Sequence, residues 1–286
     1  MNNQQKEILL FIFAGIFFFL LFYPYYKWLT VSWKSNPSDS FGYLAPFVSG
    51  WMVFLKNNKI KSAPVSYYKG GWVFFISGVC LPLYSRWSSQ IIIACLSLPL
   101  CLYGLSLIIW GKDRCRYLLL PIFFLIFLYP WGDILNIAVG FQLRRLSVLM
   151  AYYLYKCLGM DAAVSGTLLF TGRFLVDIAP ACSGINTMNT LLFIGAVGAF
   201  LNDGVLKNKI LLFVSAVPLA IILNTIRVVI TGLIGHIYGE DAAMGYYHNL
   251  SGILLFGLAM LLLYVESQCL KGKKTSIKRL DYKVPS

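Results

Sequence analysis

One cysteine, one arginine and one histidine in this chain have the types and spacing to do chemistry together. Cys182 sits in "APACSGINTMNT" (179–190), between a proline and a glycine, at the threshold of an apolar run. Arg227 sits in "NTIR" (224–227), inside another apolar run, and His248 in "YYHNLSG" (246–252), at the start of a third. A thiolate is a strong nucleophile, and a helix N-terminus or a nearby cation lowers a thiol pKa. The helix dipole disfavours imidazolium at a helix start, which suits a histidine that must be neutral before it takes a proton. A guanidinium offers several fixed donors to a developing oxyanion. Nucleophile, base and electrostatic stabiliser are the parts that acyl transfer requires.

The three residues lie 45 and 21 positions apart, so the fold must bring them together. Helical spacing favours this. Cys182, Asn186, Asn189 and Thr190 fall at i, i+4, i+7 and i+8; Asn224, Arg227 and Thr231 fall at i, i+3 and i+7. Each set shares a helix face if both segments are helical. Arginine in an apolar run faces a bundle interior or a wet cavity. Asn186, Asn189, Asn224 and Thr231, with Ser183 and Gly184 beside the cysteine, are the supporting or substrate-binding candidates. The plainer reading also stands: membrane cysteines are small packing residues, and asparagines hydrogen-bond between helices.

Composition supplies the setting. Of 286 residues 59% are hydrophobic and 12% charged, with a mean hydropathy of +0.73. Soluble domains run nearer half apolar and a quarter charged, so the chain reads as an all-α polytopic membrane protein. Spans of roughly 20 residues are needed. They are expected near 8–26, 41–55, 72–85, 89–110, 116–131, 185–202, 210–231 and 251–267. The first is expected to be retained, because the run after Lys6 is too long for a signal peptide and lacks a cleavage site. Segment 134–159 interrupts an apolar helical pattern with Arg144 and Arg145 and is expected as an amphipathic helix on the outer surface. Segment 164–178 is expected as an outer β-hairpin turning at Thr171-Gly172 and leading into the cysteine. The whole of 1–270 forms one domain, followed by a basic tail, 271–286.

The net charge is +13. No basic segment is interleaved with aromatics on a folded surface, so nucleic-acid binding is not expected. With eight spans, Lys56–Lys69, Lys112–Arg116, Lys207–Lys209 and the tail all fall on one side. The positive-inside rule makes that side cytoplasmic. Cys182, Arg227 and His248 then share the outer leaflet. Seven cysteines without CxxC and only two histidines indicate neither a disulfide framework nor a metal site; no cofactor is expected.

At these residues the sequence resembles the exosortase/archaeosortase family of membrane transpeptidases. "FGYLAPFVSGWMVF", "LPIFFLIFLYPWGDIL", "GTLLFTGRFLVDIAPACSGINTMNTLLF", "VPLAIILNTIRVV" and "YYHNLSGILLF" carry the resemblance. Cys-Ser-Gly, Asn-x-x-Arg and His-x-x-x-Gly in this order and spacing are together specific. The resemblance implies a nucleophile at Cys182, an essential arginine at Arg227 and a histidine at His248. It further implies substrate proteins that end in a short motif, a transmembrane helix and a basic cluster (a PEP-CTERM-type signal), and a polysaccharide or lipid-linked acceptor. The setting implied is an inner membrane with the active site facing the periplasmic side. One departure is Phe41, where the family often has histidine; it leaves the subfamily open. Two other classes remain: a transporter or lipid-binding protein using Arg227 and the asparagines, and a lipid-modifying transferase, for which acidic metal ligands are few.

Overall fold

The computed structural model describes residues 19–20, 22–35, 37–88, 91–171, 174–177 and 184–271. Cys182, Ser183, most of the first expected span and all of the basic tail but Lys271 lie outside these residues. Helix α1 covers 22–35, and a 3-10 helix (Pro37–Leu44) leads into α2 (Ala45–Leu55). Then come α3 (Asn57–Ser62), α4 (Gly71–Ser88), α5 (Ile91–Ala94), α6 (Ser97–Phe124) and α7 (Trp131–Cys157). Strands β1 (Ala163–Ser165), β2 (Leu168–Thr171) and β3 (Phe174–Asp177) precede α8 (Ile185–Leu201), α9 (Leu206–Tyr238), α10 (Glu240–Met244) and α11 (Tyr246–Cys269).

Prolines and glycines set the boundaries in the first half. The span expected to begin near 89 breaks at Cys95-Leu96 because Pro99 cannot bond back to the carbonyl of residue 95 and its ring crowds that carbonyl. Helix α6 is not straight. Gly111 has φ 75° and ψ −177° inside it, and the Tyr103 and Phe123 rings on either side of it lie 5.9 Å apart. Twenty residues of unbroken helix would separate them by about 30 Å. The chain therefore reverses at Gly111, where a Cβ would meet the Ser66 backbone. The two arms correspond to the expected fourth and fifth spans.

Helices α8, α9 and α11 form an antiparallel unit. Gly195 of α8 packs on Leu212, Phe213 and Ala216 of α9. Ser215 of α9 donates to Glu266 of α11 at 2.7 Å. The α8–α9 turn is tied to the end of α11: Asn202 and Asn208 donate to the carbonyls of Ser267 and Leu270. Apolar side chains such as Ile253 and Leu254 on α11 and Ile210 and Val214 on α9 point outward. That pattern suits lipid and not water. Among the described residues three helical stretches are long and apolar enough to cross a membrane: Ile134–Cys157, Leu206–Tyr238 and Leu250–Cys269. Helix α2, with 11 residues, is only about 16 Å long, half of what a crossing needs.

Helix α7 has the length of a span, but its contacts run across the bundle. Gly132 lies beside Asn189 through Asp39, Gly140 faces Ile185, and Ser147 reaches Asn224 next to Gly184. Fifteen residues of α7, about 22 Å, therefore pass only five residues of α8, about 7.5 Å. Helix α7 thus crosses α8 steeply. The expected hairpin is present as β2 and β3, paired Thr171↔Phe174 to Leu168↔Asp177. A third strand, β1, pairs antiparallel with β2; three residues are too few for its alternation to be read from sequence. The sheet buries Leu169 against Val148, Ala151 and Tyr155 of α7 and Val228 of α9.

The lysine clusters share one end of the molecule. Arg114 donates to the carbonyls of Ala63 and Lys61, and Lys112 sits 4.1 Å above the Tyr68 ring. Lys56 lies 5.1 Å over Phe200 at the end of α8, close to the α8–α9 turn.

Candidate functional site

The opposite end of the α8–α9–α11 unit holds Gly184, Asn224, Arg227 and Gly252. Gly184 is the N-cap of α8, with φ 77°, a left-handed conformation that L side chains avoid. A Cβ there would lie 2.9 Å from Cβ of Asn224 and 2.8 Å from its Cγ. Glycine is thus required twice, by its backbone and by the close approach of α9. The segment two residues after Cys182 is in this way pressed directly against Asn224.

Asn224 is buried and donates through Nδ2 to Oγ of Ser147 on α7 at 3.1 Å. One turn on, Arg227 crosses to α11. A Cβ at Gly252 would stand 3.2 Å from an Nη of Arg227 and 3.4 Å from Cζ. The guanidinium lies over Gly252, where even a Cβ would press on it. Gly252 is one helical turn after His248, and positions i and i+4 share a helix face. His248, placed by its backbone in the first turn of α11, therefore stands one turn from the position on which the guanidinium rests. Contacts run without a gap from Gly184 to Asn224, along one turn of α9 to Arg227, and on to Gly252.

The other expected supporting residues divide. Thr231 is buried one turn beyond Arg227 on α9. Asn186 is half-buried in the first turn of α8, and its carbonyl accepts from Oγ1 of Thr190 at 3.0 Å. Asn189 points elsewhere. It is fully buried and donates to Oδ1 of Asp39 at 3.1 Å, and the same oxygen accepts from the backbone N–H of Gly132 at 3.1 Å. Asp39 thus caps the first turn of α7, where backbone donors have no helical partner, and fixes α7 to α8. Arg144 folds back along α7 and donates to Asn136 at 3.1 Å. The second histidine, His236, contacts the Thr171 carbonyl at 3.0 Å and links the end of α9 to the sheet.

Three residues of the site were not singled out from sequence. Gly252 matters as the seat of Arg227; Ser147 is the partner of Asn224. Asp39 reads as a span flank, although an acid so close to an apolar run is itself a signal. Helix α9 also continues for eleven residues past Arg227, so the arginine is not at its end as expected. Over 33 residues the helix is about 50 Å long, longer than a bilayer core, and its last turns carry the sheet and α10. At Phe41, where the resembled pattern often has histidine, the ring packs 5.2 Å from Phe193 in an apolar cluster with Phe124 and Phe127.

Comparison with protein families matches the description "transmembrane exosortase" over residues 33–265. Comparison with curated proteins and with solved structures gives no match. The match spans all of the helices that build the site and both ends of the bundle: the chain belongs to the transmembrane exosortase family.

Proposed function

We propose that this protein is a membrane-embedded cysteine transpeptidase that cleaves C-terminal sorting signals from exported proteins. The observation that carries the reading is the run of contacts from Gly184 through Asn224 and Arg227 to Gly252. It packs Gly184, beside Cys182, on Asn224 and lays Arg227, one turn further along α9, over Gly252, one turn after His248.

The chemistry follows from the three groups. His248 takes the Cys182 thiol proton, and the thiolate attacks the scissile carbonyl carbon. Arg227 stabilises the negative charge that moves onto the carbonyl oxygen. The C–N bond breaks, the leaving amine receives the proton from His248, and the substrate stays on Cys182 as a thioester. An acceptor amine or water then attacks the thioester and frees the thiol. Asn224 holds the cysteine segment in register. The substrates are proteins with a short motif, a transmembrane helix and a basic cluster; the acceptor is a polysaccharide or lipid-linked group. The lysine-rich end lies at the cytoplasmic face of the inner membrane and the site at the outer face.

Mass spectrometry of a co-expressed protein bearing such a signal tests the reading. The intact chain should shorten it at the motif. Cys182→Ala, present at normal level in the membrane, should leave it uncut. Full processing by that variant would leave a transporter or lipid-binding role in its place.

A further inference from the structure

An apolar groove opens at the lysine-rich end, far from the site just described. It lies between α2, the second arm of α6, α8 and α9, and has a volume of about 310 Å³. Its walls include Met52, Phe123, Phe127 and Phe213. The groove exists because α8 turns the small Ala196 and Ala199 toward it beside Phe200, while Gly195 and Gly198 bring α8 tight against α9. At roughly 30 Å³ for a water-sized group, it has room for about ten methylene-sized groups.

Its mouth is charged. Lys209, half-buried, lines the groove directly. Lys56 lies over the ring of Phe200, another wall residue, at 5.1 Å. Lys56 follows the end of α2 and Lys209 lies in the first turn of α9, each with its stem against the apolar wall. An empty apolar groove inside a bilayer is filled by whatever apolar chain carries the right head. Two cations at the mouth select against a helix that ends in a basic cluster and in favour of an anionic head on an acyl tail.

We propose that this groove binds one acyl chain of an anionic phospholipid, with Lys56 and Lys209 holding its phosphate. The site is separate from the acyl-transfer centre and does not depend on it. It ties the lysine-rich end of the bundle to an anionic leaflet and closes the gap between α6 and α8.

The test uses the full chain reconstituted in nanodiscs containing equal amounts of phosphatidylglycerol and phosphatidylcholine with identical acyl chains. Retained lipids are counted by native mass spectrometry after transfer to detergent. Phosphatidylglycerol should be retained in preference. A lysine near an anionic lipid surface is worth about fivefold in affinity, so Lys56→Gln and Lys209→Gln should each lower the preference by about that factor. Ala199→Phe should fill the groove and release either lipid. The lysine variants change only half-buried side chains at the groove mouth and keep the test sound if Ala199→Phe fails to fold. Equal retention of the two lipids, or a preference unmoved by both lysine variants, would overturn the proposal. So would displacement of the bound lipid by a Leu-rich helix of about 20 residues with a lysine tail, which would make the groove a helix-docking site.

Discussion

At the scale of single residues the account turns on glycines as much as on reactive groups. Gly184→Ala places a Cβ on a left-handed backbone, at about 1–2 kcal/mol, and drives it into Asn224. We expect that variant to accumulate less and to process substrate poorly, measured by immunoblot of enzyme and substrate together. Gly252→Leu leaves its own backbone unstrained but removes the seat of Arg227. It should retain the fold and lose processing. Arg227→Lys keeps the charge but loses the planar fork, and should be severely impaired with normal protein level. Arg227 and His248 stand out in the sequence because charged and polar types are costly in lipid, and Cys182 because it lies between Pro180 and Gly184 with Asn186 and Asn189 at helical spacing after it. Gly252 was legible only as a motif letter, since a glycine's value lies in what approaches it. Asn189 has the periodicity of the cysteine face, and its amide donates to Asp39, on a segment 150 residues away, the bonding role that the plainer reading of the sequence gives it.

The elements show where periodicity stops being informative. The α8, α9 and α11 runs are long, apolar and bounded by polar turns, so sequence places them within a few residues, except that α9 runs on to Tyr238. It ends at Gly239, whose φ of 87° is a backbone conformation that suits glycine. The broken helix before Ser97 and the reversal at Gly111 depend on one proline and one glycine. The sequence marks both residues without saying how far the chain turns. Helix α7 owes its slant to contacts no local pattern contains, above all the Asp39 cap on Gly132 and the Asn224–Ser147 bond. Removing the cap tests this. Asp39→Ala leaves the Gly132 N–H and the Asn189 amide without that acceptor, at about 1–3 kcal/mol for each stranded group. The unfolding midpoint in detergent should fall, and Asp39→Asn should recover part of the loss because its carbonyl oxygen can still accept.

Across the whole molecule, charge and chemistry sit at opposite ends: lysines around the α2 and α8–α9 turns, the Arg227 junction at the start of α8 and α11. Single-cysteine variants at Asn57 and Tyr247 should report this to a membrane-impermeant thiol reagent. In intact cells position 247 should label and position 57 should not; the reverse pattern would invert the orientation. The central claim, a thioester between substrate and Cys182, has a more direct test. Hydroxylamine, added to membranes while they process substrate, attacks thioesters in place of the natural acceptor. The released product should then carry a C-terminal hydroxamate at the motif, visible by mass spectrometry. None should form with Cys182→Ala or Cys182→Ser, and little with Arg227→Lys. A product that ends only in a carboxylate at saturating hydroxylamine, or a hydroxamate still formed by Cys182→Ala, would contradict the account.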